Sequence, residues 1–93
     1  MILGFEWDEE KASANLKKHR VSFDEAVSAF DDPMLITFSD PLHSEGEERF
    51  LSIGISSKNR VLIIAHTDRA NKVRIVNCRK ATASERKQYE EKE

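Results

Sequence analysis

Three apolar stretches rich in β-branched residues, 49 to 56, 60 to 67 and 72 to 79, are separated only by short polar breaks around Lys58-Asn59 and Arg69-Ala70-Asn71. Connections this short admit hairpins. A parallel pair would need a crossover of about a dozen residues or more. Consecutive strands here must therefore run antiparallel, as a meander. The middle stretch, "RVLIIAHT", is apolar at consecutive positions, which predicts a strand covered on both faces and so placed centrally.

The rest of the chain supplies what such a sheet needs. Leu3, Phe5 and Trp7 alternate as in a short half-buried strand. Asp8 is placed to cap a helix over 9 to 19, with Glu9 and Glu10 in its first turn and Lys17 and Lys18 in its last, matching the helix dipole. Ser22 and Glu25 have capping-box spacing, and Phe23, Ala26, Val27 and Phe30 follow on one helical face. Asp31, Asp32 and Pro33 end that helix. Met34, Ile36 and Phe38 alternate again before the loop "SDPLHSEGEE". Thr82 and Glu85 repeat the capping-box spacing and open a last helix that has almost no apolar stripe.

The expected order is β-α-α-β-β-β-β-α. This is an α+β fold with two N-terminal helices, an antiparallel sheet of four to five strands and a C-terminal helix. With 93 residues and no repeat, Gly/Ser tract or Pro-rich linker, the expectation is one domain over residues 1–93.

Charge is unevenly distributed. Residues 1 to 48 carry 12 acidic and 4 basic side chains, whereas residues 49 to 93 carry 5 acidic and 11 basic ones. That division predicts an electropositive surface suited to a polyanion on a protein of net charge −2. The single Cys78 lies in an apolar strand pattern and reads as a buried thiol in a reducing compartment. No apolar run is long enough to cross a bilayer, and "MILGF" lacks the basic flank of a signal peptide, so a cytoplasmic protein without membrane contact is expected.

Phosphate-binding glycine loops, Cys/His zinc spacings and HExxH are absent, which argues against a nucleotide-hydrolysing or zinc enzyme. The acidic loop lacks the alternating oxygen ligands of an EF-hand, so no metal or cofactor is expected.

The basic residues near the C-terminus are more informative. Strand parity puts Asn77 and Arg79 on one face and Arg74 on the other. Lys80 follows directly, and Arg86 and Tyr89 share a face of the last helix. His66 on the central strand and His19 at the end of the first helix have ordinary pKa values near neutrality. Asn15, Lys18 and His19 lie at helical spacing. From residue types alone, His66 reads either as a hydrogen-bonded core group or as a proton carrier, and Tyr89 either as a pin for the helix or as a functional phenol.

Several spaced elements then occur together: "FEWDEEKASANLKKHRVSFDEAVSAFDDP", "EERFLSIGISSKNRVLIIAHTDR" and "VRIVNCRKATASERKQYE". Over nearly its whole length the chain resembles the BrnT toxins of bacterial type II toxin–antitoxin systems. The resemblance is carried by Trp7-Asp8 with Lys11, Asn15, Lys18 and His19, and by Arg79, Ala81, Glu85, Arg86 and Tyr89. One departure is Asn77-Cys78, where such toxins commonly have Ser-Ala.

The resemblance implies a RelE-like fold, ribonuclease activity that arrests translation, and neutralisation by a BrnA-type antitoxin with a ribbon-helix-helix domain. DNA would be reached only through that antitoxin. The chemistry would be attack of a 2′-oxygen on the neighbouring phosphate without a metal. Its candidate catalytic residues are Arg79, His66, Tyr89, Arg86 and His19, and its candidate RNA contacts are Asn77, Lys80, Lys18 and Asn15. Arg79 suits phosphate best, because a guanidinium is always charged and donates to two oxygens. Acid and base stay unassigned. The alternative is a non-catalytic RNA-binding or antitoxin-binding module acting in a repressor complex.

Overall fold

The structure, a computed structural model, describes residues 4–91. Leu3, expected in the first strand, lies outside the described residues. The elements are β1 (Gly4–Glu6), α1 (Glu9–His19), α2 (Phe23–Ala29), β2 (Ile36–Ser39), a 3-10 turn (Pro41–His43), β3 (Arg49–Ile55), β4 (Val61–Arg69), β5 (Lys72–Lys80) and α3 (Ala83–Glu90).

The five strands form one sheet in the order β1-β5-β4-β3-β2, with β4 central. Strands β2 to β5 pair antiparallel, as the short connections require. Between β4 and β5, Ala70 and Asn71 both have positive φ, 48° and 71°, the conformation that lets a two-residue hairpin follow the strand twist. Strand β1 differs: it joins β5 in parallel, making the sheet mixed. The two intervening helices and three strands provide the long crossover that a parallel pair needs.

All three helices begin on the caps that the sequence placed there. Asp8 accepts the backbone N–H of Glu10 and Lys11, Ser22 that of Glu25, and Thr82 that of Glu85. Helix α1 stops at Arg20, which is left-handed at φ 60° and returns its N–H to Leu16. One sheet face carries α1 and α2. There Val21, Phe23, Ala26 and Ala29 pack on Leu62, Ile64, Val73, Ile75 and Cys78. Gly54 permits the close approach of α2, since a Cβ there would stand 2.9 Å from the Ala29 carbonyl oxygen. Burying such apolar surface is the main driving force for this arrangement.

The opposite, outer face has Ile53, Ile63 and Ala65 buried at its centre and carries Ile36, Leu51 and the exposed Phe38 toward its β2 edge. Helix α3 buries none of its residues and leaves β5 to cross the end of the sheet. Its Tyr89 hydroxyl donates to Asp32, which also accepts the backbone N–H of Ile55 at the end of β3.

Candidate functional site

Strand β5 contains an irregularity that alternation does not reveal. Ile75 stands opposite His66 and Asn77 opposite Ala65, so Val76 is an extra residue without its own partner. Such a bulge shifts the parity of everything beyond it. Arg74, Asn77 and Arg79 face Thr67, Ala65 and Ile63, three residues that alternate along β4 and share its outer face. The expectation that Arg74 and Arg79 lie on opposite faces is therefore corrected: both belong to the outer face, together with Asn77.

Arg79 is gripped by the first turn of α3. Its two terminal nitrogens donate to Glu85 Oε1 and Oε2 at 2.7 and 2.9 Å. Glu85 also accepts the Thr82 N–H at 2.8 Å, so one carboxylate closes the helix cap and holds the arginine. The Arg79 guanidinium, helped by those Thr82 contacts, holds the Glu85 carboxyl at about 2. At the other end of α3, burial, followed by the hydrogen bond to Asp32, pushes the Tyr89 phenol up to about 12. At neutral pH it is a donor. Arg86, Lys80 and Arg60 line a groove between α3 and the β3–β4 hairpin.

The other candidates lie elsewhere. His66 is buried on the face toward α1 and α2, its ring stacked on Phe50 at 5.7 Å and edge-on to Phe30 at 5.2 Å. Its Nε2 is 2.8 Å from Ser52 Oγ, and that hydroxyl is 2.8 Å from Thr37 Oγ1. Nδ1 lies 3.4 Å from Asp68 Oδ1 without hydrogen-bond geometry. Burial lowers the imidazole pKa, so the neutral ring is favoured there. Lys18 and His19 end α1 on the same side of the sheet.

Asn15 is also buried, and its amide takes the place of a missing strand. Beyond Arg74, β5 has outrun β1. There Asn15 Nδ2 donates to the Cys78 carbonyl at 2.9 Å while the Cys78 N–H donates to Asn15 Oδ1 at 3.1 Å. Both ends of the side chain are thereby engaged inside the fold. The structure puts Arg79 and Asn77 on the outer face of β5, Lys80 opposite the helix-side Leu62 and in one groove with Arg86, and Tyr89 against Asp32 beside the end of β3. It separates these from His66, His19, Lys18 and Asn15.

Several outer-face residues were not singled out from sequence. Arg49, Thr67, Arg69 and Lys72 lie on this face, as the pairs Arg49↔Thr67 and Arg69↔Lys72 show. The basic second half of the chain was their only signal. Two carboxylates flank them: Glu6 meets Arg74 at 3.4 Å, and Glu47 is held by Arg69 at 2.6 and 2.9 Å. In the acidic loop, His43 Nδ1 pairs with Asp40 at 3.0 Å.

A family model described as the ribonuclease toxin BrnT of type II toxin–antitoxin systems matches residues 7–85. Among solved structures, the crystal structure of the Brucella abortus ribonuclease toxin BrnT is similar in fold, with a TM-score of 0.62 and 18% identity over 88% of this chain and 99% of that one. No curated protein sequence matches the chain.

Proposed function

The chain belongs to the BrnT ribonuclease toxins of type II toxin–antitoxin systems, and on that premise we propose that it is a metal-independent endoribonuclease of the cytoplasm that inhibits translation and is neutralised by a BrnA-type ribbon-helix-helix antitoxin. RNA lies across the outer face and ends its path at α3. The observation that carries this reading is the bulge at Val76, which aligns Arg74, Asn77 and Arg79 along one surface.

In the reaction, a 2′-oxygen attacks the adjacent phosphorus and the bond to the next nucleotide's 5′-oxygen breaks. The products are a 2′,3′-cyclic phosphate and a free 5′-hydroxyl. The 2′-hydroxyl gives up its proton and the departing oxygen gains one. Arg79 supplies two donors to the phosphorane when a phosphate oxygen replaces Glu85, and stabilising charge at that point lowers the barrier directly. Arg86 and Lys80 guide the strand at the groove. His66 and Asn15 hold the fold, and no step passes through them. The outer-face carboxylates Glu6, Glu47 and Glu85 each have an arginine partner, which suits chemistry driven by cations of the protein itself.

Induction in bacteria, with and without a co-expressed ribbon-helix-helix partner, tests the reading. Growth should stop only without the partner, and RNA fragments should carry cyclic phosphate and 5′-hydroxyl ends, in chelator as well as without it. Cleavage abolished by chelator and restored by a divalent ion would replace the mechanism. The alternative, a non-catalytic RNA- or antitoxin-binding module, is favoured by the Glu85 partner that already occupies Arg79. Salt-sensitive RNA binding with no cleavage would establish it.

A further inference from the structure

At the opposite end of the outer face from α3, four strands place four residues in one row: Arg49 of β3, Thr67 of β4, Arg74 of β5 and Glu6 of β1. Thr67 is only 5% exposed, and both its Oγ1 and the Arg49 Nε are buried without a hydrogen-bond partner among the described residues. Native structures leave few such groups unmet, and each one asks for an unseen ligand or another stated reason. Here two of them stand side by side on paired strands.

Arg74 is also loosely held. Among the described residues its hydrogen bond is to Glu6 at 3.4 Å, beyond the usual range for an N–H donor, in contrast to the two-pronged grip of Arg69 on Glu47. Arg69 first, and then Arg74 and Arg49 by charge alone, hold the Glu47 carboxyl below its usual range. Four cations, Arg49, Arg69, Lys72 and Arg74, face two carboxylates, Glu6 and Glu47, and the excess is positive.

We propose that the Arg49–Thr67–Arg74 row is an anion pocket that binds one backbone phosphate of single-stranded RNA, away from the phosphate that reacts at Arg79. The inference rests on the ribonuclease reading and adds a second point of hold. Continuity favours RNA as the occupant. Thr67 lies four positions along β4 from Ile63, the partner of Arg79, which is about 13 Å along the strand. That distance corresponds to a few phosphodiester units, and Asn77 lies between. The Thr67 hydroxyl and the Arg49 Nε–H donate to the phosphate oxygens, and Arg74 can turn from Glu6 to join them.

The test uses a fluorescein-labelled RNA oligonucleotide with 2′-O-methyl groups throughout, which can be bound but not cut, titrated against the full chain at several salt concentrations. Thr67→Val keeps the shape and removes only the hydroxyl. Its affinity should fall roughly tenfold, as for a lost hydrogen bond to a charged group. Its melting temperature should not fall, because no bond within the protein is lost. Arg49→Ala should reduce the slope of log affinity against log salt by about 0.7, one phosphate contact to a single strand. Should Thr67→Val fail to fold, the Arg49→Ala slope decides alone. Unchanged affinity and slope, absence of binding by the wild-type chain, or a loss confined to antitoxin binding would each overturn the pocket. Cleavage of unmodified RNA is followed separately. A chain that cleaves, with both variants binding normally, keeps the ribonuclease reading and loses the pocket. A chain that never cleaves but binds through this row keeps the pocket and loses the enzyme.

Discussion

Helices α2 and α3 begin alike, each with a hydroxyl cap that accepts the N–H of a glutamate three residues on, and in each that glutamate then reaches an arginine, Arg60 of the β3–β4 hairpin or Arg79 of β5. The settings differ. Glu25 is 2% exposed, and it holds Arg60 through both carboxylate oxygens while accepting the Ser56 hydroxyl at 2.7 Å. Glu85 is 29% exposed, and its helix buries nothing. Both carboxyls are held below their ordinary range, chiefly by the arginine hydrogen bond. The same pairing is thus locked into the fold at α2 and left open to exchange at α3. A buried pair that loses a partner strands a charge, whereas a surface pair competes continually with water and other anions.

The largest effect expected from this contrast is on stability. Glu25→Ala leaves Arg60 and Ser56 without their acceptor and should cost about 3–5 kcal/mol in denaturant unfolding. A loss as small as that for an exposed pair would break the comparison.

Next comes Arg79→Ala, which should leave the fold and antitoxin binding intact but slow RNA cleavage by about 10²–10³, the scale of removing one positioned donor. Arg79→Lys keeps the charge without the two-pronged geometry, so it should recover RNA affinity better than rate. Full activity in folded Arg79→Ala would remove this residue from the chemistry and shift attention to Arg86 and Tyr89.

Acid should sharpen the contrast further. The Glu85 carboxyl has a folded pKa of about 2 against an ordinary 4.5, so its contribution is complete above about 4.5 and is lost as pH falls toward 2. Hydrogen exchange at α3 amides should accelerate across that window. Glu85→Gln should reproduce the acid behaviour at neutral pH, at a cost of only about 0–1 kcal/mol.

The smallest effect is expected at Cys78. Its thiol is fully buried and desolvation pushes it up to about 12, so it should resist thiol reagents until the protein unfolds. Cys78→Ser should retain cleavage, and a folded variant without activity would contradict the purely structural role of the Asn15–Cys78 contact.

Much of this architecture is legible because local chemistry determines it. Caps at Asp8, Ser22 and Thr82, hairpins at 58–59 and 70–71, and the apolar run of β4 each act over a few residues. The parallel seat of β1 beside β5 is different, since it pairs Phe5 with Val73 across most of the chain. Asn15 misleads for a related reason. On a polar helix it resembles a binding residue, but it answers a strand edge left bare by the shortness of β1. Arg79 and Asn77 could be chosen from position and charge. The row of Arg49, Thr67 and Arg74 could not, because its alignment depends on three strand registers and one bulge.

That bulge also bears on how length variation in this strand should be understood. In a regular ladder, deleting one central residue turns every later side chain to the other surface. Here Val76 is the residue without a counterpart on β4. Removing it would leave Ile75 opposite His66 and Asn77 opposite Ala65 in unbroken alternation, with the arginines still on the outer face. A single-residue gap at this point in an alignment of related toxins is therefore compatible with a conserved surface, whereas the same gap two or three positions away is not.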